Sequence, residues 1–520
     1  NFVLDKIDEL ASTNPVTWNS DHSWHPVPAN SFIMPKFGGK NVFFDYFATS
    51  RTNPEFKDIR FIEDQNLEVR LRDDGLLESR GTTVDRILKK DFTGNKDLHI
   101  SCNKLSADQS AFNFSDQAIC LFETYVEENK FIEKFQNIRN GQLCNLTENR
   151  SASHFQYRDH KSNLYQNNIE VLSNIVEQIN NNYEQVIFFG IGGSFLGPML
   201  LNDAFSTNGK KVIFVTGSDP NEYMGLIDTD LPKTAFVLAS KSFSTIETLS
   251  SYEHITSGQH LDNTFAITAS ATKAQDYGIK ENHILPLDIN TGGRFSIWSA
   301  INLAFCLCHG LYAYKAFLEG GAAADNNATN KLSENLALSL SMQDVYANNV
   351  LGMETSLLLN YDWNLRNFYQ YAQQLDMESL GKSVNQHDGT ALDYQTGMIV
   401  WGGYGPRSQH SFYQHVFQGT KDSNLYLIST KNDHLNYKQF LGQTKSLRDG
   451  NDFEDDTHKQ VNKRKFTTIL LDDISPESIG ELIAVWENKT IFNSMFWDIN
   501  PFDQWGVELG KINTKAELEK

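Results

Sequence analysis

The feature that most constrains the fold of this chain is a series of short apolar runs separated by stretches of helical periodicity. Seven runs have the length and uniform apolar character of buried strands, namely residues 186–189, 212–215, 235–239, 265–268, 398–401, 425–429 and 466–471. Such strands occur in parallel sheets that helices cover on both faces. A helical region predicted around residues 330–375 separates the first four runs from the last three. The pattern therefore predicts an α/β protein with two domains, each a parallel sheet flanked by helices.

The length of the chain agrees with this division, because 520 residues exceed the size at which one hydrophobic core keeps growing. We expect an N-terminal segment of unassigned role over residues 1–95, in which the alternation at 67–72 predicts a strand. Residues 96–320 are predicted to form the first domain with its preceding helices, and residues 321–520 the second domain with a C-terminal helical tail. Helical periodicity dominates residues 110–185, and another helix is predicted to begin at Ser475 and Pro476. The buried stripe of that helix is predicted to be Ile479, Leu482, Ile483 and Trp486.

Charge and cysteine content limit the partners and the compartment. The formal net charge of -20, from 65 acidic and 45 basic residues, disfavours nucleic acid and anionic membranes as partners. An anionic substrate would therefore have to be bound by local cations. The five cysteines form no CxxC pair, which indicates reduced thiols and a cytoplasmic location. No signal peptide is visible at the N-terminus, and the apolar run 295–314 is interpreted as a buried core helix rather than a membrane span.

Two loops that follow predicted strands could bind an anion. Gly190-Ile-Gly-Gly-Ser-Phe-Leu-Gly-Pro198 precedes a helical stretch, so its backbone amides could point at a ligand. A dinucleotide fingerprint would have glycine at Phe195, and a P-loop would end in Gly-Lys-Ser/Thr, so neither motif fits. Ser240-Lys-Ser-Phe-Ser-Thr-Ile-Glu-Thr248 supplies one cation and several hydroxyls at a strand end. A tight turn and a serine-capped helix start are the structural alternatives, but two such loops in one domain favour a phosphate site.

Two further segments could supply charged groups for a reaction. Gly292-Gly-Arg-Phe-Ser296 places Arg294 where a guanidinium can meet growing negative charge, with a helix-capping arginine as the alternative. Gln374-Leu-Asp-Met-Glu-Ser-Leu-Gly-Lys382 places Glu378 near apolar Met377 and Leu380, where a carboxylate could act as general base. Taken alone, Glu378 would more often be an ordinary carboxylate on a helix surface. The Gly-Lys-Ser ending imitates a nucleotide-binding loop, but the first glycine of such a loop is missing.

Groups that could transfer protons occur nearer the C-terminus. Gln409-His-Ser-Phe-Tyr413 supplies His410 in a loop, where a neutral imidazole could shuttle a proton. A structural histidine is the alternative, and His415 is a weaker candidate. Residues 502–511 offer Gln504 and Lys511, which lie on one face if the segment is helical, although an end helix with a solvated lysine is the simpler interpretation. The histidines and cysteines lack metal-ligand spacing, so we expect no metal.

Together and in this order, these six segments resemble the phosphoglucose isomerase family. The segments around Gly292-Gly-Arg294 and 493–511 are similar to its two signatures, and 145–150 with His154 and Arg158 is a weaker match. The resemblance implies two sugar-isomerase (SIS) domains and a homodimer with shared active sites. It also implies a reaction without a cofactor, the reversible isomerisation of glucose 6-phosphate and fructose 6-phosphate in glycolysis and gluconeogenesis.

The resemblance further implies roles for individual residues. The substrate-binding residues would be Gly193, Ser194, Ser240, Lys241, Ser242, Thr245, Thr248, Gln374 and Gln504, with those of the 240–248 loop binding the phosphate. His410, supplied by the neighbouring subunit, and Lys511 would open the hexose ring. Glu378 would then move a proton between C2 and C1. Arg294 would stabilise the negative charge of the intermediate.

The sequence departs from the family pattern at three places. It has Gly405-Pro-Arg-Ser408 for Gly-Thr-Asn-Gly, Glu378-Ser-Leu-Gly-Lys382 for Glu-Ser-Asn-Gly-Lys, and Val461-Asn-Lys-Arg464 for Gly-Asn-Arg-Pro. The first change could reshape the loop that holds His410. One alternative is an isomerase of another phosphosugar, which would lack the ending from Gln504 to Lys511. The other is a binding or signalling protein that keeps the fold without catalysis, which would lack the base or the ring-opening residues.

Overall fold

The computed structural model describes residues 98–520 except 206–208, 227–229 and 452–455. Its strands are β1 (His99–Ser101), β2 (Leu105–Asp108), β3 (Gln185–Phe189), β4 (Lys211–Val215), β5 (Thr234–Ala239), β6 (Thr264–Thr268), β7 (Ile284–Pro286), β8 (Thr355–Asn360), β9 (Ile399–Tyr404), β10 (Asn424–Thr430) and β11 (Phe466–Leu471). All seven predicted strands are confirmed, as β3 to β6 and β9 to β11. The predicted strand at 67–72 and the segment 1–95 lie outside the described residues.

Fifteen α-helices connect and cover these strands within the described part of the chain. They are α1 (Asp116–Glu128), α2 (Phe131–Arg139), α3 (Asn163–Asn182), α4 (Leu196–Ala204), α5 (Pro220–Tyr223), α6 (Ile246–Thr256), α7 (Ala271–Asp276), α8 (Leu303–Asn327), α9 (Leu336–Val345), α10 (Phe368–Leu380), α11 (Gly405–Ser408), α12 (Tyr413–Gln418), α13 (Leu435–Asp449), α14 (Pro476–Phe496) and α15 (Glu508–Leu518). The helices predicted between residues 110 and 185 are confirmed as α1, α2 and α3.

The first sheet is parallel and has five strands in the order β4-β3-β5-β6-β7. Alternate residues of β3 pack into different cores, with Val186 and Phe188 on one face and Ile187 and Phe189 on the other. Burial on both faces explains why the strands appear in the sequence as uniform apolar runs rather than as alternating patterns. Because β3 and β5 are parallel, the loops that follow them emerge at the same edge of this sheet.

The second sheet has six strands in the order β1-β2-β11-β10-β8-β9, with β8 to β11 parallel and the hairpin β1-β2 antiparallel at one edge. Residues 99–108, which the sequence analysis assigned to the first domain, thus pair with the second sheet. The predicted helical region at 330–375 is wrong over Thr355–Asn360, which forms β8. Its run Leu357-Leu-Leu359 is fully buried, and a short buried apolar run cannot be told from a helix by periodicity.

Helix α14 lies at the centre of the described structure. It begins as predicted, with Pro476 in its first turn and the Ser475 hydroxyl accepting from the Ser478 amide. The predicted stripe is buried, but every residue from Ser478 to Phe496 is also buried, so the helix is enclosed on all sides. Where α14 crosses α8, a Cβ on Gly480 would overlap the backbone of Phe317, and glycine permits this close approach.

Charged side chains on α14 are paired inside the protein. The Glu487 carboxylate accepts from Arg158 at 2.6 Å, from the Trp298 indole at 2.8 Å and from the Tyr371 hydroxyl at 3.1 Å. Burial raises the pKa of Glu487 to about 7, although Arg158 opposes that shift. Because buried charges are costly unless they are paired, these contacts fix helix α10, through Tyr371, and the segment before α8, through Trp298, to the same central helix.

The apolar run 295–314 is buried as expected, but it is not helical throughout. Residues Gly293–Trp298 and Ala300–Asn302 form 3-10 turns, and α8 begins only at Leu303. In the described part of the chain, the stretch Ala300–Asn327 is long and apolar enough to cross a membrane, and 61% of its apolar window is buried inside the protein. This burial supports the interpretation as a core segment.

Candidate active site

The centre of the candidate active site is a carboxylate beside a buried guanidinium. Glu378 and Gln374 lie one turn apart on α10, and the Gln374 amide donates to Glu378 Oε2 at 3.0 Å. Arg294 Nη1 lies 3.3 Å from Glu378 Oε1. The Arg294 side chain is 1% exposed, whereas that of Glu378 is 25% exposed. The carboxylate therefore remains accessible while its cationic partner is enclosed.

The neighbours of Glu378 differ from the apolar setting expected from the sequence. Its contacts are the amide of Gln374 and the guanidinium of Arg294. Met377 is 39% exposed and Leu380 is buried in the core. Position and orientation of this carboxylate thus come from polar contacts on one side of the helix. Leu380, which replaces a polar family residue, is used for packing.

Arg294 is held by acceptors from two segments, the end of α10 and the turn 501–504. Its Nε donates to the Ser379 hydroxyl at 2.6 Å, and its Nη1 donates to Gln504 Oε1 at 3.0 Å. Its Nη2 donates to the carbonyl of Asp503 at 3.1 Å and also to the carbonyl of Pro501. Burial lowers the pKa of the guanidinium, and Glu378 opposes that change. A cation fixed in this way can stabilise developing negative charge without moving.

The glycine loop after β3 lies against both parts of this cluster. A Cβ on Gly193 would overlap the backbone of Gly293, next to Arg294, and one on Gly192 would lie 3.0 Å from Nε2 of Gln374. Gly192 also has a φ of +57°, which favours glycine. The structure therefore brings the loop that contains Gly193 and Ser194 next to Arg294 and Gln374.

The hydroxyl-rich loop after β5 is folded around its own contacts. The buried Ser240 hydroxyl lies 2.8 Å from that of Thr245, the exposed Ser242 accepts from Ser244 at 2.8 Å, and Thr248 is buried in α6. Phe243 has a φ of +48°, a strained conformation for a residue other than glycine. Its side chain is buried in the core that also contains Ile187 and Phe189 of β3, so packing holds the loop in this conformation.

Lys241 connects this loop to the charges of the site. Burial lowers the pKa of Lys241 to about 8, and the positive charges of Arg150 and, more weakly, Arg294 act in the same direction. Lys241 is therefore within electrostatic range of two arginines, while the carboxylates Glu148 and Asp288 oppose the lowering of its pKa; Arg150 comes from the segment 145–150, which matched the family only weakly. This arrangement supplies the local cations that an acidic chain needs to bind an anion.

The structure does not bring His410 and Lys511 to this cluster. His410 is exposed in the turn after α11, and its backbone amide donates to the carbonyl of Arg407. Lys511 is exposed on α15 and pairs with Glu508 at 2.7 Å. The proposed shared helical face of Gln504 and Lys511 is wrong, because Gln504 precedes a 3-10 turn and α15 begins only at Glu508.

The altered loop before His410 has a specific packing role. Arg407, within Gly405-Pro-Arg-Ser408, lies over the ring of Trp363 at 4.6 Å, and Arg366 lies over the same ring at 4.5 Å. This stacking anchors the loop through Arg407, which stands where the family pattern has asparagine.

The sequence analysis missed several residues that build the site. Ser379 and the carbonyls of Pro501 and Asp503 hold Arg294, and Lys382 pairs with Asp503 at 2.7 Å. Lys382 was visible as part of a false nucleotide motif, whereas nothing in the sequence marked the two carbonyls. Among the described residues, no group of three or more histidine, cysteine, aspartate or glutamate side chains could hold a metal ion. None of the five cysteines forms a disulfide bond.

Most of the chain is similar to proteins of one known family. The phosphoglucose isomerase family model matches residues 108–519. A glucose-6-phosphate isomerase of Shewanella putrefaciens is 32% identical over 479 residues, covering 80% of this chain and 87% of that protein. One from Stutzerimonas stutzeri is 31% identical over 489 residues, covering 82% and 88%. The crystal structure of a glucose-6-phosphate isomerase from Chlamydia trachomatis has a TM-score of 0.75 at 25% identity, covering 88% of this chain and 96% of that one.

The fold has one parallel sheet and one largely parallel sheet, and its site has a carboxylate beside a fixed guanidinium. Together with these relatives, these features define an α/β isomerase of the aldose–ketose class. The family model covers well over half of the chain, and both relatives exceed 30% identity. The chain belongs to the phosphoglucose isomerase family. The predicted α/β fold, with parallel sheets flanked by helices, is thereby confirmed.

Proposed function

We propose that this chain catalyses the reversible isomerisation of glucose 6-phosphate and fructose 6-phosphate. The observation that carries the proposal is the contact of 3.3 Å between Glu378 and Arg294, with Gln374 and Gln504 on either side. Moving a proton next to a carbonyl requires a positioned base and a group that stabilises the resulting negative charge. The family and the names of its relatives supply the choice of sugar phosphate.

The phosphate group would bind to the loop after β5. Lys241 supplies the charge, and Ser240, Ser242, Thr245 and Thr248 supply hydroxyls at the carboxyl end of a parallel strand. The glycine loop with Gly193 and Ser194 would line the sugar, and Gln374 and Gln504 would contact its hydroxyls. In this arrangement the reacting carbons would lie between the loop after β5 and α10.

The proton transfer would proceed without a net change in composition. Glu378 takes the proton from C2 of the open-chain aldose, and the electron pair of that bond moves toward the C1 carbonyl to form an enediolate. Arg294 stabilises the negative charge on O1. The enediol proton on O2 is then transferred to O1, and Glu378 returns its proton to C1, which yields the ketose. No atom or electron is gained or lost, so the substrate and these side chains are sufficient for the step.

Ring opening would require His410 and Lys511, which lie on exposed segments of this chain. A homodimer with shared active sites accounts for their exposure, because a second subunit would bring His410 to the sugar. The apolar residues Leu509 and Ile512 on α15 are 66% and 64% exposed, which supports burial of this helix against another chain.

Because none of the five cysteines forms a disulfide bond, we further propose that the protein is located in the cytoplasm. We also propose a role in glycolysis and gluconeogenesis.

The test is a coupled assay of the purified full chain with fructose 6-phosphate, in which glucose 6-phosphate is oxidised by an added dehydrogenase. Mannose 6-phosphate and glucosamine 6-phosphate serve as competing substrates in matched assays that detect their own products. We expect the highest kcat/KM for fructose 6-phosphate. Binding of fructose 6-phosphate without conversion would contradict the proposed function, and faster turnover of either competitor would contradict the proposed substrate.

A further inference from the structure

Lys382 belongs to a segment that resembles the end of a nucleotide-binding loop, but its contacts indicate a different role. It follows Gly381 just after α10, and its side chain is only 14% exposed. Its Nζ lies 2.7 Å from Asp503 Oδ1 and also donates to the backbone carbonyl of Asp503. An ammonium group this enclosed is costly unless its charge is compensated, and Asp503 compensates it.

Asp503 in turn joins three segments of the chain. Its Oδ2 accepts from the Thr147 hydroxyl at 2.6 Å and from the Asn500 amide at 2.9 Å, while Oδ1 accepts from Lys382. Both carboxylate oxygens are therefore used, and the Asp503 side chain is 8% exposed. Its backbone carbonyl accepts from Arg294 at 3.1 Å as well as from Lys382. The ammonium and the guanidinium are thus held against one carbonyl oxygen.

This shared carbonyl links the Lys382–Asp503 pair to the reacting groups. Residues 501–504 supply three of the acceptors of Arg294, namely two carbonyls and the side chain of Gln504. Lys382 ties this turn to the end of α10, the helix that carries Glu378. Burial lowers the pKa of Lys382 while Asp503 opposes the change, so loss of Asp503 would favour the neutral amine.

We infer that Lys382 and Asp503 are positioning residues that hold the Arg294 guanidinium and Gln504 beside Glu378. The inference rests on the proposed isomerase function. Neither residue needs to touch the substrate for this role. If the pair is broken, the turn 501–504 can shift relative to α10, and a displacement of about 1 Å near reacting groups can cost about 100-fold in rate. Because Arg294 acts mainly on the charge of the intermediate, the loss should fall on kcat rather than on KM.

The experiment compares Lys382→Met with Lys382→Arg and with the control Lys465→Met. Lys465 is also a half-buried lysine that donates to a backbone carbonyl, that of Phe112 at 2.7 Å, but it lies at the start of β11. Asp503→Asn is the second variant, which keeps the shape of the side chain and both backbone contacts. For each protein, kcat and KM for fructose 6-phosphate, the Kd for sorbitol 6-phosphate and the melting temperature are measured.

We expect Lys382→Met and Asp503→Asn to lose about 100-fold in kcat, with KM and the Kd for sorbitol 6-phosphate changed by less than about threefold. Lys382→Arg should recover most of the loss, and Lys465→Met should resemble the wild type. If the wild type is active but kcat is unchanged in Lys382→Met or in Asp503→Asn, this inference is overturned while the proposed function stands. An equal loss of kcat in Lys465→Met would have the same consequence. A wild-type chain without isomerase activity would overturn the proposed function, and this inference with it.

Discussion

Two groups of residues expected to catalyse the reaction lie in contrasting parts of this molecule. Arg294 and Glu378 meet at 3.3 Å on elements fixed to the buried helix α14. His410 and Lys511 lie on exposed segments, and their contacts are with neighbours in sequence, Arg407 and Glu508. A single chain thus brings the proposed base and its electrostatic partner together through contacts within its own fold. The residues proposed to open the ring are exposed, which is the arrangement expected if a second subunit brings His410 to the sugar.

The difference has a physical basis in the pairing of buried charges. The far side of α10 is tied to α14 by Asp376, which lies 3.0 Å from Lys489, and by Tyr371, which donates to Glu487. Removing one partner of such a buried pair typically costs about 3–5 kcal/mol, so α10 has little freedom to move. Within the described part of the chain, the ion pairs of helix α15 are all exposed and join residues three or four positions apart, so they do not anchor this helix to the core. Exposed pairs of this kind contribute about 0.3–0.5 kcal/mol.

The largest effect is expected from Glu378→Gln, which keeps the shape of the base and removes its ability to take a proton. The kcat for fructose 6-phosphate should fall by about 10³-fold, within the range of general base catalysis. The Kd for sorbitol 6-phosphate should stay nearly constant, because the loop after β5 is untouched. Glu334→Gln is the control, since Glu334 is 59% exposed in a surface pair with Lys331. Unchanged turnover of Glu378→Gln would exclude Glu378 as the base.

A smaller loss is expected from Arg294→Lys, which keeps the charge and removes the planar fork. Lysine cannot satisfy Ser379, Gln504 and the carbonyls of Pro501 and Asp503 together, so the cation should lose its fixed position. We expect kcat to fall by about 100-fold with a small change in KM. Steady-state kinetics on both substrates checks this. A rise in KM at constant kcat would show that Arg294 acts on substrate binding instead.

The phosphate loop should produce a dependence of KM on pH. The pKa of Lys241 is lowered to about 8, so its ammonium is charged below that pH and becomes neutral as the pH rises through about 8. The substrate phosphate stays doubly negative in this range, so its attraction to Lys241 is lost. We expect KM to rise about tenfold between about pH 7 and 9. Lys241→Arg, which remains protonated, should flatten the curve; an unchanged pH dependence in this variant would contradict the assignment.

The proposal that the partner subunit supplies His410 is tested by mixing two inactive variants. Glu378→Gln and His410→Ala should each be inactive alone, but a hybrid dimer would have one site with both residues intact if His410 comes from the partner. Random pairing makes half of the dimers hybrid, so a co-expressed mixture should show about a quarter of the wild-type activity. A mixture as inactive as its components would contradict the shared site, and size-exclusion chromatography verifies that hybrids form.

Features that leave a pattern of buried residues could be predicted from the sequence, whereas contacts that only the fold creates could not. Strands β3 to β6 and β9 to β11 were predictable because uniform apolar runs reflect burial on both faces. Strand β8 was not, because its leucine run also fits a buried helix. The roles predicted for Arg294 and Glu378 came from the family resemblance, because the residues around Glu378 taken alone favoured an ordinary surface carboxylate and those around Arg294 left a helix-capping role open. The carbonyls of Pro501 and Asp503 could not be predicted, because every residue has a carbonyl and only the fold brings these two to Arg294.

The most direct measurement of the central claim is solvent exchange during turnover. In the direction from fructose 6-phosphate, Glu378 would remove a proton from C1, and that proton can exchange with solvent before it is returned to C2. Turnover of fructose 6-phosphate in D₂O should therefore place deuterium on C2 of glucose 6-phosphate, detectable by proton NMR as loss of the C2 signal. The wild type is expected to incorporate deuterium and Glu378→Gln is expected to incorporate none above background. Exchange in Glu378→Gln at the wild-type rate would contradict the assignment of Glu378 as the carbon base.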